Sequence, residues 1–205
     1  MQTNNYSVEK TLQALYYLQS KTEKHDKMSL IKLLFFADRF HIRTFCIPLL
    51  NDQYTAMQQG PVCSRTYDLI KKGQYYDYLP RNMKSFVIEN LSLKNGTEVT
   101  VKNTGFDRLS KSDIMALDFA VEHFGKFEKK ELSKISHAYP EWAKYKVYFD
   151  TKVISAEPMD YLDFFDNPDP HSRYIDSYLE GKDPYAEDKE LLAAKKEEYK
   201  TLLCR

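Results

Sequence analysis

Glycine is scarce in this chain, six in 205 residues and scattered. That excludes the glycine-rich loops whose backbone amides cradle nucleotide phosphates. Cysteine is scarcer still, and Cys46, Cys63 and Cys204 are odd in number and far apart. A disulfide framework needs an even, dense set, so a reducing compartment is expected. Structural zinc sites show closely spaced cysteine pairs, which His41, Cys46 and Cys63 do not supply, so neither metal nor cofactor is expected. Neither of the first two cysteines sits in a nucleophile motif, and the chain reads as a non-enzyme. An excess of either charge is also missing, with 30 basic and 30 acidic residues and a formal net charge of zero. Nucleic-acid binders rely on phosphate contacts and normally carry a basic excess, so nucleic acid is not the expected partner. No apolar run approaches the ~20 residues needed to span a bilayer. The opening Met1 to Lys10 is polar and lacks the apolar core of a signal peptide. A cytoplasmic protein with no membrane partner is expected.

Aromatic residues are plentiful, with 16 Tyr and 12 Phe against one Trp. Tyr gives large contact area at low entropic cost, so it suits interfaces as well as cores. Both uses stay open. Ser7 can cap a first helix with Val8, Leu12, Leu15 and Tyr16 on one face. After a polar connection, Ser29 is placed to cap a second helix. Its residues Leu30, Ile31, Leu33 to Ala37 and Phe40 cover nearly the whole circumference, the mark of a central, buried helix. Pro48 ends it. Gln53 to Gln58 is extended, Gly60-Pro61 marks a turn, and a helix with Tyr67, Leu69 and Ile70 follows, closing near Gly73.

Gln74 to Lys84 reads as a Tyr-rich connector, and Ser85 to Lys102 as a β-hairpin around Asn95-Gly96. A three-residue loop with Gly96 left-handed, pairing Leu91 with Val99, keeps the apolar residues on one face. Ser110 and Asp113 predict a capping box for a helix with Ile114, Leu117, Val121 and Phe124 inward, stopped by Gly125. Another helix runs from Glu128 to His137, and Pro140 opens a short one carrying Trp142 and Tyr145. His137 is expected to satisfy helix-end carbonyls and Trp142 to anchor core. Past Asp160 the prolines and acids suggest an irregular linker. Glu187 to Leu203 is helical again, with Leu192, Tyr199 and Leu203 at roughly heptad spacing. Such a helix is marginal alone and must dock on the body, a second copy or a partner. A homodimer through it is one option. The expected organisation is residues 1–160 as one domain and 161–205 as linker and C-terminal helix.

Asp38 and His41, three apart on the central helix, can meet on one face. A carboxylate orienting a histidine could serve a hydrolase. The plainer expectation is a structural polar pair, with Asp38 held by Arg39, Arg43 or a backbone N–H. The other candidate surrounds Gly60-Pro61, where Tyr54, Met57, Val62, Tyr67 and Asp68 flank a turn fixed by a rigid helix. Turns so held are favoured recognition sites, although a plain connection has the same spacing.

The blocks KLLFFADRFHIRTF, P-L-x-x-D-x-Y-x-A-M-x-x-GPV and S-x-x-YD resemble the Panacea domain, the family of SocA-like antitoxins often encoded beside toxins or on prophages. LSKSDIMALDFAVEHFG and LSKISHAYPEW are similar to its downstream helices, and the resemblance covers Ser29 to Trp142. Cys46 and Cys63 depart from it, standing where a glycine and a second proline are usual. The resemblance implies an α+β, mainly helical fold with a small antiparallel sheet. It also implies an antitoxin that neutralises a cognate protein toxin by direct contact. An adaptor delivering a client to a protease is the alternative. The partner-binding residues expected on this basis are Tyr54, Met57, Gly60, Pro61, Val62, Tyr67 and Asp68.

Overall fold

The computed structural model describes residues 6–203 and is built around α2, Lys27–Phe45. Every residue from Ser29 to Arg39 is buried, as an all-round apolar helix requires. The cap of α2 lies earlier than expected: the Asp26 side chain accepts the Ser29 N–H at 2.9 Å. An aspartate three residues ahead of Ser29 satisfies the free first-turn amide equally well. The helix ends on Cys46, which takes a left-handed φ of 54° where the family resemblance expects glycine. α1 (Val8–Thr22) packs beside α2 and is capped by Ser7, whose hydroxyl accepts from the Lys10 amide.

Strands β1 (Tyr54–Met57) and β2 (Gly60–Cys63) form an antiparallel hairpin with Gln58 and Gln59 as its loop. Gly60-Pro61 is therefore the start of a strand rather than the turn itself. Proline is tolerated there because β2 is an edge, in the order β2-β1-β5 with β5 at Ala156–Pro158. α3 (Ser64–Lys71) follows directly.

The expected connector and first strand beyond it are instead helical, as α4 (Gln74–Asp77) and α5 (Arg81–Asn90). Met83, Val87 and Leu91 fit a helical period as well as an extended one, and burial of Val87 settles it. The second hairpin is shorter than expected, with β3 at Leu91–Lys94 and β4 at Glu98–Val101. Its three-residue loop and left-handed Gly96 are as expected, but Leu93 faces Val99 and Leu91 faces Val101. The loop Asn95 to Thr97 dictates that register, two residues along from Leu91 opposite Val99.

α6 (Lys111–Phe124) carries the capping box and lies against α2, as does α7 (Lys129–Ser136). The short helices α8 (Pro140–Ala143) and α9 (Lys146–Asp150) lead to β5. A 3₁₀ turn at Tyr161–Phe165, α10 (Arg173–Leu179) and α11 (Lys189–Leu203) complete the chain. The segment expected as an irregular linker is packed, with Phe164 and Phe165 fully buried. Arg43 holds it: Nη1 donates to the Phe164 and Asp166 carbonyls, and Nη2 to Asn167 Oδ1 and the Tyr185 carbonyl. One turn earlier, Arg39 Nη1 donates to both Glu141 carboxylate oxygens at 2.6 Å, fully buried, and Nη2 donates to Asp166 O. Tyr139 and Tyr185 face its guanidinium plane. A buried charge needs such partners, and Arg39 and Arg43 fasten the C-terminal segment to α2. α11 docks on the body through Leu192 and Tyr199, while Leu203 stays exposed.

Candidate functional site

The β1–β2 hairpin is held by side-chain donors from three helices, each bonded to a backbone carbonyl. Trp142 Nε1 on α8 donates to Met57 O at 2.8 Å, and Ser133 Oγ on α7 donates to Gln59 O at 2.7 Å. Lys32 Nζ on α2 donates to Pro61 O at 2.7 Å. The three carbonyls alternate along the chain, so the hairpin tip is fixed from behind. Gly60 makes the approach possible, with a φ of 99° that other residues rarely adopt. A Cβ there would lie 2.5 Å from Ser136 Oγ and 2.7 Å from Lys32 Nζ.

Trp142 is the expected anchor, packed with Ala56 and Phe149. His137 does not serve helix-end carbonyls but stacks flat on Trp142, the rings 3.6 Å apart and 4° from parallel. Its Nε2 is buried without a hydrogen-bond partner. Burial, with the charges of Lys32 and Lys146, pushes the imidazole down to about 3, so it is neutral. Lys32 itself is 1 % exposed, and burial brings its ammonium down to about 7.

Beside the hairpin lies an open groove of about 920 Å³ between the start of α2, α3 and α7. Met57, Val62 and Tyr67 line it, and these three of the expected binding residues are brought together there. Gly60 and Pro61 are buried in β2 and act through the backbone. Tyr54 is withdrawn from any partner: it is 4 % exposed and its hydroxyl donates to Asp38. Alternation along β1 turns it inward next to outward Thr55. Asp68 accepts the Tyr75 N–H at 2.9 Å and so organises the chain after α3.

Asp38 and His41 share no hydrogen bond, which corrects the expected pair. Asp38 accepts from the Leu49 N–H at 2.7 Å and from the Tyr54 and Tyr161 hydroxyls. Of its expected holders only a backbone N–H is present, and burial raises its carboxyl to about 7. His41 Nδ1 donates to Ile47 O at 2.7 Å, which leaves Nε2 to accept from Ser112 Oγ at 3.1 Å. Burial lowers its pKa. The spacing allows a meeting, but their partners draw the two side chains apart, Asp38 to Tyr54 and Tyr161 and His41 to Ser112 on α6. Both brace the core. Among the described residues no group of three His, Cys, Asp or Glu is placed to hold a metal, and no helix is long and apolar enough to cross a membrane. Cys204 lies outside the described residues.

Sequence reasoning passed over Lys32 and Ser133. A single lysine within a run of buried apolar residues was the signal available for the first. Nothing local marks the second, because its partner carbonyl is 74 residues away. Residues 30–143 match the family described as antitoxin SocA-like, Panacea domain. The chain belongs to that family. The match contains the pinned hairpin of this Panacea domain and all three side chains that hold it. No curated protein and no solved structure matches the chain.

Proposed function

We propose that this Panacea-domain protein is the antitoxin of a toxin–antitoxin pair and neutralises a protein toxin by direct contact through the β1–β2 face. The fixed hairpin carries the reading. Three helices each give a hydrogen bond to hold the hairpin and its exposed loop of Gln58 and Gln59, and a rigid surface binds without the entropic cost of ordering it. Met57, Val62 and Tyr67 present apolar and aromatic area beside it, the residue types that suit a recognition surface. The reading is of a binding protein rather than an enzyme, acting in the cytoplasm, where Cys46 and Cys63 remain thiols.

The test is co-expression with the product of the adjoining gene. That product alone should arrest growth, this protein should restore it, and the two should co-purify at stable levels. A neighbour that is harmless alone, or equally toxic with this protein present, overturns the proposal. Rescue with faster disappearance of the toxin would instead mark a protease adaptor.

A further inference from the structure

The groove beside the hairpin is basic in a chain whose formal net charge is zero. Lys27, Lys32, Lys129, Lys130 and Lys134 line it, against one acid, Asp26, whose carboxylate is engaged as the cap of α2. Some lysines elsewhere in the molecule find carboxylates, such as Lys10 with Asp113, Lys144 with Asp163, Lys195 with Glu187 and Lys196 with Asp166. Among the described residues none of the five groove lysines is ion-paired. Lys27 Nζ donates to the Gly96 carbonyl and sits 4.9 Å over the Tyr67 ring, and Lys32 Nζ donates to the Pro61 carbonyl, so neither meets a carboxylate. An ammonium has three donors, and a buried one without a counter-ion is costly to keep. The lining also contains an unsatisfied polar residue, His137, whose buried Nε2 has no partner.

We infer that this groove seats an acidic segment of the toxin, its carboxylates meeting the lysines of α2 and α7 and its apolar side chains meeting Met57, Val62 and Tyr67. This rests on the antitoxin reading and adds the chemistry of the contact. A protein segment suits the site better than nucleic acid, because the five lysines share the groove with apolar residues. A nucleic-acid backbone calls for a longer cationic track and gains little from methionine and valine. Lys32 at the base, brought down to about 7 by burial, takes its full charge beside an incoming carboxylate, and Lys129, Lys130 and Lys134 on α7 add steering charge at the rim. The groove also adjoins the strand edge without inviting strand addition. Pro61 has no N–H to offer there, and its carbonyl is occupied by Lys32.

The probe is a fluorescein-labelled ten-residue peptide of alternating Glu and Leu, followed by anisotropy with the full-length protein. It should bind, and binding should weaken about tenfold or more between low and ~0.5 M salt. The double variant Lys130→Glu with Lys134→Glu alters the rim and leaves the core untouched, and it should weaken the peptide about tenfold or more. Lys32→Met should do the same, with circular dichroism confirming its fold. A peptide that does not bind, or binds the double variant equally well, overturns the inference. So does inorganic pyrophosphate that displaces the peptide from wild type at the same concentrations, which marks a small-anion site. In the growth assay the double variant should lose rescue. If wild type and double variant both rescue, the groove is not the contact and the antitoxin reading stands. If wild type fails to rescue, the antitoxin reading itself falls.

Discussion

Lys32 joins stability and binding in one side chain. Burial brings its ammonium from 10.5 down to about 7 in the folded protein, while the unfolded chain keeps the ordinary value. Below about pH 7 both states hold the proton and the penalty on the fold is complete. Between about 7 and 10.5 the unfolded state binds more protons, so this contribution to stability improves as pH rises. Lys32→Met removes the buried charge and costs only the bond to Pro61 O. It should raise the melting temperature near pH 6.5, by about 2 kcal/mol of stability, with the advantage shrinking toward pH 10.5. Thermal unfolding across that range checks it, and a pH-independent difference would show that Lys32 is not a buried cation. Gly60→Ala acts in the opposite sense. The added Cβ meets Ser136 Oγ and Lys32 Nζ at under 3 Å, at a φ of 99°. The variant should lose about 2–3 kcal/mol, read as a lower urea midpoint with an unchanged slope.

At the scale of elements, α2 works as an axle with two kinds of attachment. Its apolar surface fixes α1, α6 and α7, and its buried polar groups fix the segments that follow. Glu141→Gln tests the second kind. It leaves Arg39, fully buried, with no carboxylate, and should cost about 3–5 kcal/mol, measured by urea denaturation. A loss below about 1 kcal/mol would mean that solvent reaches Arg39. The helices with one apolar face or a capping box were legible from local pattern, and so was the all-round burial of α2. α5 was not, because Met83, Val87 and Leu91 satisfy both periods until the packing of Val87 decides. β1 was legible as the extended run from Gln53 to Gln58, but Gly60-Pro61 read as the turn rather than the start of β2, and the supports of the hairpin were hidden. Trp142, Ser133 and Lys32 reach backbone carbonyls 85, 74 and 29 residues away, and sequence spacing carries no trace of such bonds. The same limit hid Tyr54, which reads as a surface aromatic until its hydroxyl is found on Asp38.

For the whole molecule, the C-terminal segment changes character between sequence and structure. DFFDNPDP is acidic and proline-rich, yet its two phenylalanines enter the core and Arg39 and Arg43 take its carbonyls. Charge density on the surface of a segment says nothing about the two residues it buries. α11 then covers Cys46, whose Sγ lies 3.6 Å from the Lys195 carbonyl. Truncation after Asp188 removes Leu192 and Tyr199, the buried residues of this helix. At about 1.5–3 kcal/mol each, they represent part of the stability of a domain this size, so the shortened protein should remain folded by circular dichroism. Cys46 should then react with iodoacetamide within minutes, while Cys63, fully buried beneath α2, stays unmodified. Peptide mass spectrometry distinguishes the two thiols, and in the full-length protein neither should label. If Cys46 stays inert after truncation, another element shields it. If Cys63 labels as well, α11 is holding the core itself together rather than capping one side of it.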